Sequence, residues 1–70
     1  MPLCFAPSGK ELKVLKVGGE SSIARHLASL GIVSDSKIMV LSQENSGTVI
    51  LVKESRLALN REVARHILVA

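Results

Sequence analysis

The apolar residues of this chain come in short stretches, and a turn signal cuts off each one. The breaks are Gly18-Gly19, Gly31, Ser34-Asp35, Glu44-Asn45-Ser46-Gly47 and Glu54-Ser55. The longest apolar stretches, Thr48 to Val52 and Ile67 to Ala70, are far below the roughly 20 residues that a bilayer-spanning helix needs. Frequent interruption of this kind favours short strands joined by tight turns over long helices.

The periodicity within each stretch assigns the elements. Pro2 to Gly9 holds both prolines and a Ser-Gly pair, and reads as an extended arm ending in a turn. Lys10 to Val17 follows as a strand, with Leu12 and Val14 on one face, Lys13 on the other, and Leu15 breaking the alternation. After Gly18-Gly19, Ile23, Leu27 and Leu30 recur at i, i+4 and i+7 with Ala24 and Ala28 beside them, which is one helical stripe. Arg25, His26 and Ser29 fall off that stripe. Ser21 or Ser22 is expected to cap the helix with its hydroxyl. Gly31 stands where a helix end wants left-handed geometry.

Beyond the Ser34-Asp35 turn, Lys37 to Gln43 reads as a strand and Glu44 to Gly47 as a hairpin loop. Thr48 to Lys53 returns as a strand so apolar that it is buried on both faces or lies at a covered edge. Glu54-Ser55 turns the chain into Arg56 to Leu59, with Leu57 and Leu59 inward. Asn60 is expected to cap a helical turn through His66, with Val63, Ala64 and Ile67 inward, before Ile67 to Ala70 closes as the last strand. The order is strand, helix, three strands, short helix, strand. The fold class is mainly β, and 1–70 reads as a single domain. Five short strands are too few for an ordinary sandwich, but they suit a small, partly open barrel that shields its own edges.

The core must be aliphatic, because 47% of the residues are hydrophobic and Phe5 is the only aromatic. Cys4 is the only cysteine, so no internal disulfide can form. A single thiol and an N-terminus without a secretory pattern lead to the expectation of a reducing cytosol. The net charge of +3 favours an acidic partner, nucleic acid or an anionic surface. Base-stacking aromatics are missing, which argues against single-stranded nucleic acid. The apolar hairpin Ile38 to Val52 is expected to leave surface that seeks a partner or a second copy.

Each catalytic constellation fails on spacing or environment. Gly18-Gly19 lacks the pattern and the following lysine of a phosphate-binding loop. Gly9-Lys10 opens a strand, so it presents no helix N-terminus to an anion. Cys4 lies between prolines, with nothing nearby to lower its pKa. His26 and His66 each follow an arginine, and neither has a second ligand at i+3 or i+4, so no metal site is expected. Glu11, Glu20, Asp35, Glu44, Glu54 and Glu62 all lie in polar stretches. The chain reads as a binding module that uses no cofactor, not as an enzyme.

Several stretches, in order, resemble one known family. They are Pro2-Leu3 with Ala6-Pro7-Ser8-Gly9, then Ala24-Arg25-His26-Leu27-Ala28-Ser29-Leu30-Gly31-Ile32, then Ser36-Lys37-Ile38-Met39-Val40-Leu41. The last is Leu57-Ala58-Leu59-Asn60-Arg61-Glu62-Val63-Ala64 with Ile67-Leu68-Val69. Together they resemble the FeoA family, small cytoplasmic accessory proteins of bacterial ferrous iron transport. The family commonly has Pro-Gly after the Leu-Gly helix end, where this chain has Ser34-Asp35, and its helix is usually more basic. The resemblance implies an SH3-like barrel and a role beside FeoB, the membrane GTPase transporter of that system. A related domain ends iron- and manganese-dependent repressors, where it contacts other parts of the same chain.

The resulting expectation is a cytoplasmic module that binds and modulates FeoB without inserting into the membrane. The partner-facing residues are expected to be Arg25, His26, Ser29, Leu30, Gly31 and Ile32, on the exposed helix face and its end. A basic barrel that binds nucleic acid, or a weak metal sensor using Cys4, His26 and His66, is the alternative from another class.

Overall fold

The computed structural model describes residues 1–70. A 3-10 turn, Leu3–Phe5, precedes β1 (Glu11–Val17) and α1 (Ser21–Ser29). Then come β2 (Lys37–Glu44), β3 (Gly47–Val52), β4 (Ser55–Asn60), α2 (Arg61–Ala64) and β5 (Ile67–Val69). The five strands form one antiparallel sheet in the order β4-β3-β2-β1-β5. β4 and β5, at the two ends of that order, do not pair with each other, and α2 joins them, so the barrel is partly open.

Strand alternation fills the core. Leu12 and Val14 of β1, Ile38 and Val40 of β2, and Ile50 and Val52 of β3 all face inward and are buried. Leu27, Ile32, Ala64, Ile67 and Val69 close over them. β3 has strands on both sides, and its outer-face Val49 and Leu51 are half-buried, which explains its unbroken apolar run. The alternation of β1 breaks after Leu15 because the strand carries a bulge there: Val14 pairs with Val69, and the next pair is Lys16 with Leu68. The bulge leaves the neighbouring Leu15 and Lys16 both exposed, so the inward alternation stops after Val14.

The structure corrects three expectations. No serine caps α1. Glu20 holds the cap position, no side chain accepts there, and the Glu20 carbonyl takes the first amides, from Ile23 and Ala24. The turn after β3 is Lys53-Glu54, not Glu54-Ser55, because Val52 pairs directly with Ser55. Residues 2–9 are not a free arm. Leu3 is fully buried, Pro2 bridges Leu68, and Met1 exchanges backbone hydrogen bonds with Val69. An anchor that deep, with its carbonyls capped by Gln43, has no freedom to sample extended chain.

Asn60 caps α2 through its Oδ1, which accepts from the Val63 amide at 2.8 Å. Gly47 begins β3 and is required by close approach: a Cβ there would overlap the Leu59 carbonyl and lie 2.9 Å from the Asn60 Cα. The Gly18-Gly19 pair lets the chain pass His66. The Gly18 amide donates to the His66 carbonyl at 2.8 Å, and a Cβ on Gly19 would press on the imidazole at 3.3 Å.

Candidate docking surface

The end of α1 is shaped by its stop signal. Gly31 takes φ +93°, its amide donates to the Ala28 carbonyl, and the Ile32 amide reaches back to the Leu27 carbonyl at 2.9 Å. That pair of bonds is a Schellman motif, whose usual apolar contact joins the residue after the glycine to the last turn. Here those residues are Ile32 and Leu27, and both are buried. Ile32 therefore belongs to the core, and the expectation that it faces a partner does not fit its position.

The other helix residues stand outward. Arg25, His26, Ser29 and Leu30 are exposed, and Gly31 is half-buried. Leu30 is 37% exposed and Val33 45%, so the helix end carries a small apolar spot. The loop beneath it is fixed: Ser36 Oγ donates to the Gly31 carbonyl at 2.9 Å and accepts from the Val33 amide at 3.2 Å. Asp35 and Ser36 bond to the Val14 backbone at 2.7 and 2.8 Å. Arg25 has no carboxylate within ion-pairing distance, and Ser29 spends its hydroxyl on the His26 carbonyl.

The residues weighed for chemistry do not converge. His26 lies on α1, away from His66, which is half-buried and 3.7 Å from Glu62 Oε1. Cys4 is half-buried on the 3-10 turn. No group of three His, Cys, Asp or Glu side chains comes together as a metal site. No helix is long and apolar enough to cross a membrane.

A second surface was not legible in the sequence. Pro2, Cys4 and Phe5, in and just before the 3-10 turn, face Arg61, Glu62 and Arg65, in and just after α2, across an open groove. Phe5 is 69% exposed, the most of any large apolar side chain. The arginines at i and i+4 were a sequence signal for one helix face. Nothing local placed Phe5 against them.

The comparisons bear on this geometry as a whole. A family model described as the FeoA domain matches residues 1–70. This chain belongs to the FeoA family. It is 35% identical over 68 residues to a protein of Methanocaldococcus jannaschii named Fe(2+) transport protein A, covering 97% of this chain and 83% of that one. A crystal structure of an iron uptake regulatory protein, also named FeoA, superposes with TM-score 0.89 at 26% identity, over 99% of this chain and 93% of that one. The Stenotrophomonas maltophilia FeoA, crystallised with zinc and described as a prokaryotic SH3 domain protein, superposes with TM-score 0.84 at 24% identity. That match covers 100% of this chain and 89% of that one. The FeoA fold of this chain is SH3-like and mainly β, and the protein is a ferrous iron transport accessory protein.

Proposed function

We propose that this protein acts in the cytoplasm as a docking module that binds the cytoplasmic part of FeoB and modulates it, catalysing nothing itself. The observation that carries the reading is the full-length family match on a chain whose His, Cys and carboxylate groups do not converge. The proposed contact is the α1 end: Arg25, His26, Ser29 and Leu30, with Gly31 shaping the turn and Val33 extending the apolar spot. Rigid backbone beneath exposed apolar and unpaired basic groups lowers the entropy lost on docking.

The purified protein should be captured by the cytoplasmic part of FeoB in at least one nucleotide state. Arg25→Glu and Leu30→Asp should each weaken capture by about tenfold, the scale of truncating an interface anchor. No capture with either GTP or GDP bound refutes the docking reading.

The fold offers a route for self-association. The outer edge of β5 is covered by Met1 and Pro2, whereas β4 makes backbone bonds to β3 alone. An open strand edge is a template for another strand. A second copy would pair β4 with β4, and a concentration-dependent mass in light scattering is the sign to look for.

A further inference from the structure

The geometry points to a second binding surface, the groove between the N-terminal 3-10 turn and α2, which takes an acidic segment of a partner protein with an apolar anchor. The groove encloses about 620 Å³. Its apolar side is Pro2, Cys4 and Phe5, and its basic side is Arg61 and Arg65.

Three observations support a ligand site here. The first is how firmly Phe5 is presented. Thr48, 1% exposed, donates to Gln43 Oε1 at 2.7 Å. Gln43 Nε2 then donates to the carbonyls of both Leu3 and Ala6, each at 2.9 Å, at either end of the turn that carries Phe5. Buried Leu3 and Ala6 anchor the same turn from below. A chain with a single aromatic thus holds it in solvent on a braced support, although burying it would stabilise the fold.

The second observation is charge. Arg61 has no carboxylate partner within ion-pairing distance, while Glu62 is engaged by both Arg65 at 3.6 Å and His66 at 3.7 Å. The rim therefore keeps an unmatched guanidinium beside the aromatic, and guanidinium forks pair with carboxylates. The third is shape. A concave site suits a protein segment that can enter it better than a flat membrane surface.

The test uses the intact protein and Cys4, its only thiol, as a reporter within the groove. The probe is a synthetic peptide in which leucines alternate with aspartates, and the control replaces the aspartates with lysines. The acidic peptide should shift the backbone amides of residues 3–5 and 61–65 saturably and slow iodoacetamide labelling of Cys4. Phe5→Ala, and Arg61→Glu with Arg65→Glu, should each weaken binding about tenfold. All three positions are exposed, so an unchanged thermal midpoint verifies folding. Leu30→Asp, which disables the α1 surface, should leave this binding unchanged, so the two proposals fail separately. Equal binding of the lysine peptide, shifts centred elsewhere, or protection of Cys4 by phosphatidylglycerol vesicles but not by the acidic peptide overturns the assignment.

Discussion

Replacing Lys53-Glu54 by a better turn should stabilise this protein. Val52 and Ser55 pair across a two-residue hairpin, and both intervening residues have positive φ, 48° at Lys53 and 68° at Glu54. That is the requirement of a type I′ turn, which Asn-Gly meets without strain. Left-handed geometry costs an ordinary L-residue about 1–2 kcal/mol. Glycine at position 54 removes that penalty but gives back roughly 0.5–1 kcal/mol as added freedom of the unfolded chain. The net gain expected for Glu54→Gly is about 0.5–1 kcal/mol, with a few tenths more when Lys53→Asn is added. In a domain of this size that is a rise of about 3–8 °C in the thermal midpoint. The double substitution removes one charge of each sign, so net charge stays +3 and cannot explain a change. Glu54→Ala is the control, since it removes the carboxylate and keeps the strain. Urea unfolding should show a higher midpoint for the glycine variants, with unchanged slope, and none for alanine. A flat or falling midpoint for Glu54→Gly, or an equal gain for Glu54→Ala, would show that the turn is not strained.

Four further outcomes follow from single positions. Gly47→Ala should fail to give a cooperative unfolding transition, because its Cβ meets strand backbone that has no room to move. Gly31→Ala, where the nearest atom to the added methyl is 3.5 Å away and only φ objects, should fold and lose about 1–2 kcal/mol in urea titration. Gln43→Leu strands the buried Thr48 hydroxyl without its acceptor, so it should lose about 1–3 kcal/mol and label faster at Cys4 as the 3-10 turn loosens. Asn60→Ala should lose about 1 kcal/mol by the same titration, through the missing cap on the Val63 amide.

Local patterns carried most of the element order. The Ile23-Leu27-Leu30 stripe, the stop at Gly31, the Asn60 cap and the alternation in β1 and β4 each depend on neighbours within one or two turns of chain. The site was less legible. Arg25, His26 and Ser29 lie outward as helix periodicity requires, but Leu30, on the apolar stripe, is 37% exposed at the helix end, and Ile32 is buried because the helix stop folds it back over Leu27. Phe5 read as part of an extended arm because the group bracing its turn, Gln43, is far away in sequence.

By itself the sequence determined the interrupted apolar pattern, the aliphatic core and the family, since these follow from residue type and local spacing. Only the tertiary structure decided which glycine is needed for space and which for φ. It alone placed the β3–β4 turn one residue early and put the lone aromatic beside Arg61 and Arg65. Those outcomes depend on contacts between residues distant in the chain, and hydrophobic periodicity carries no information about them.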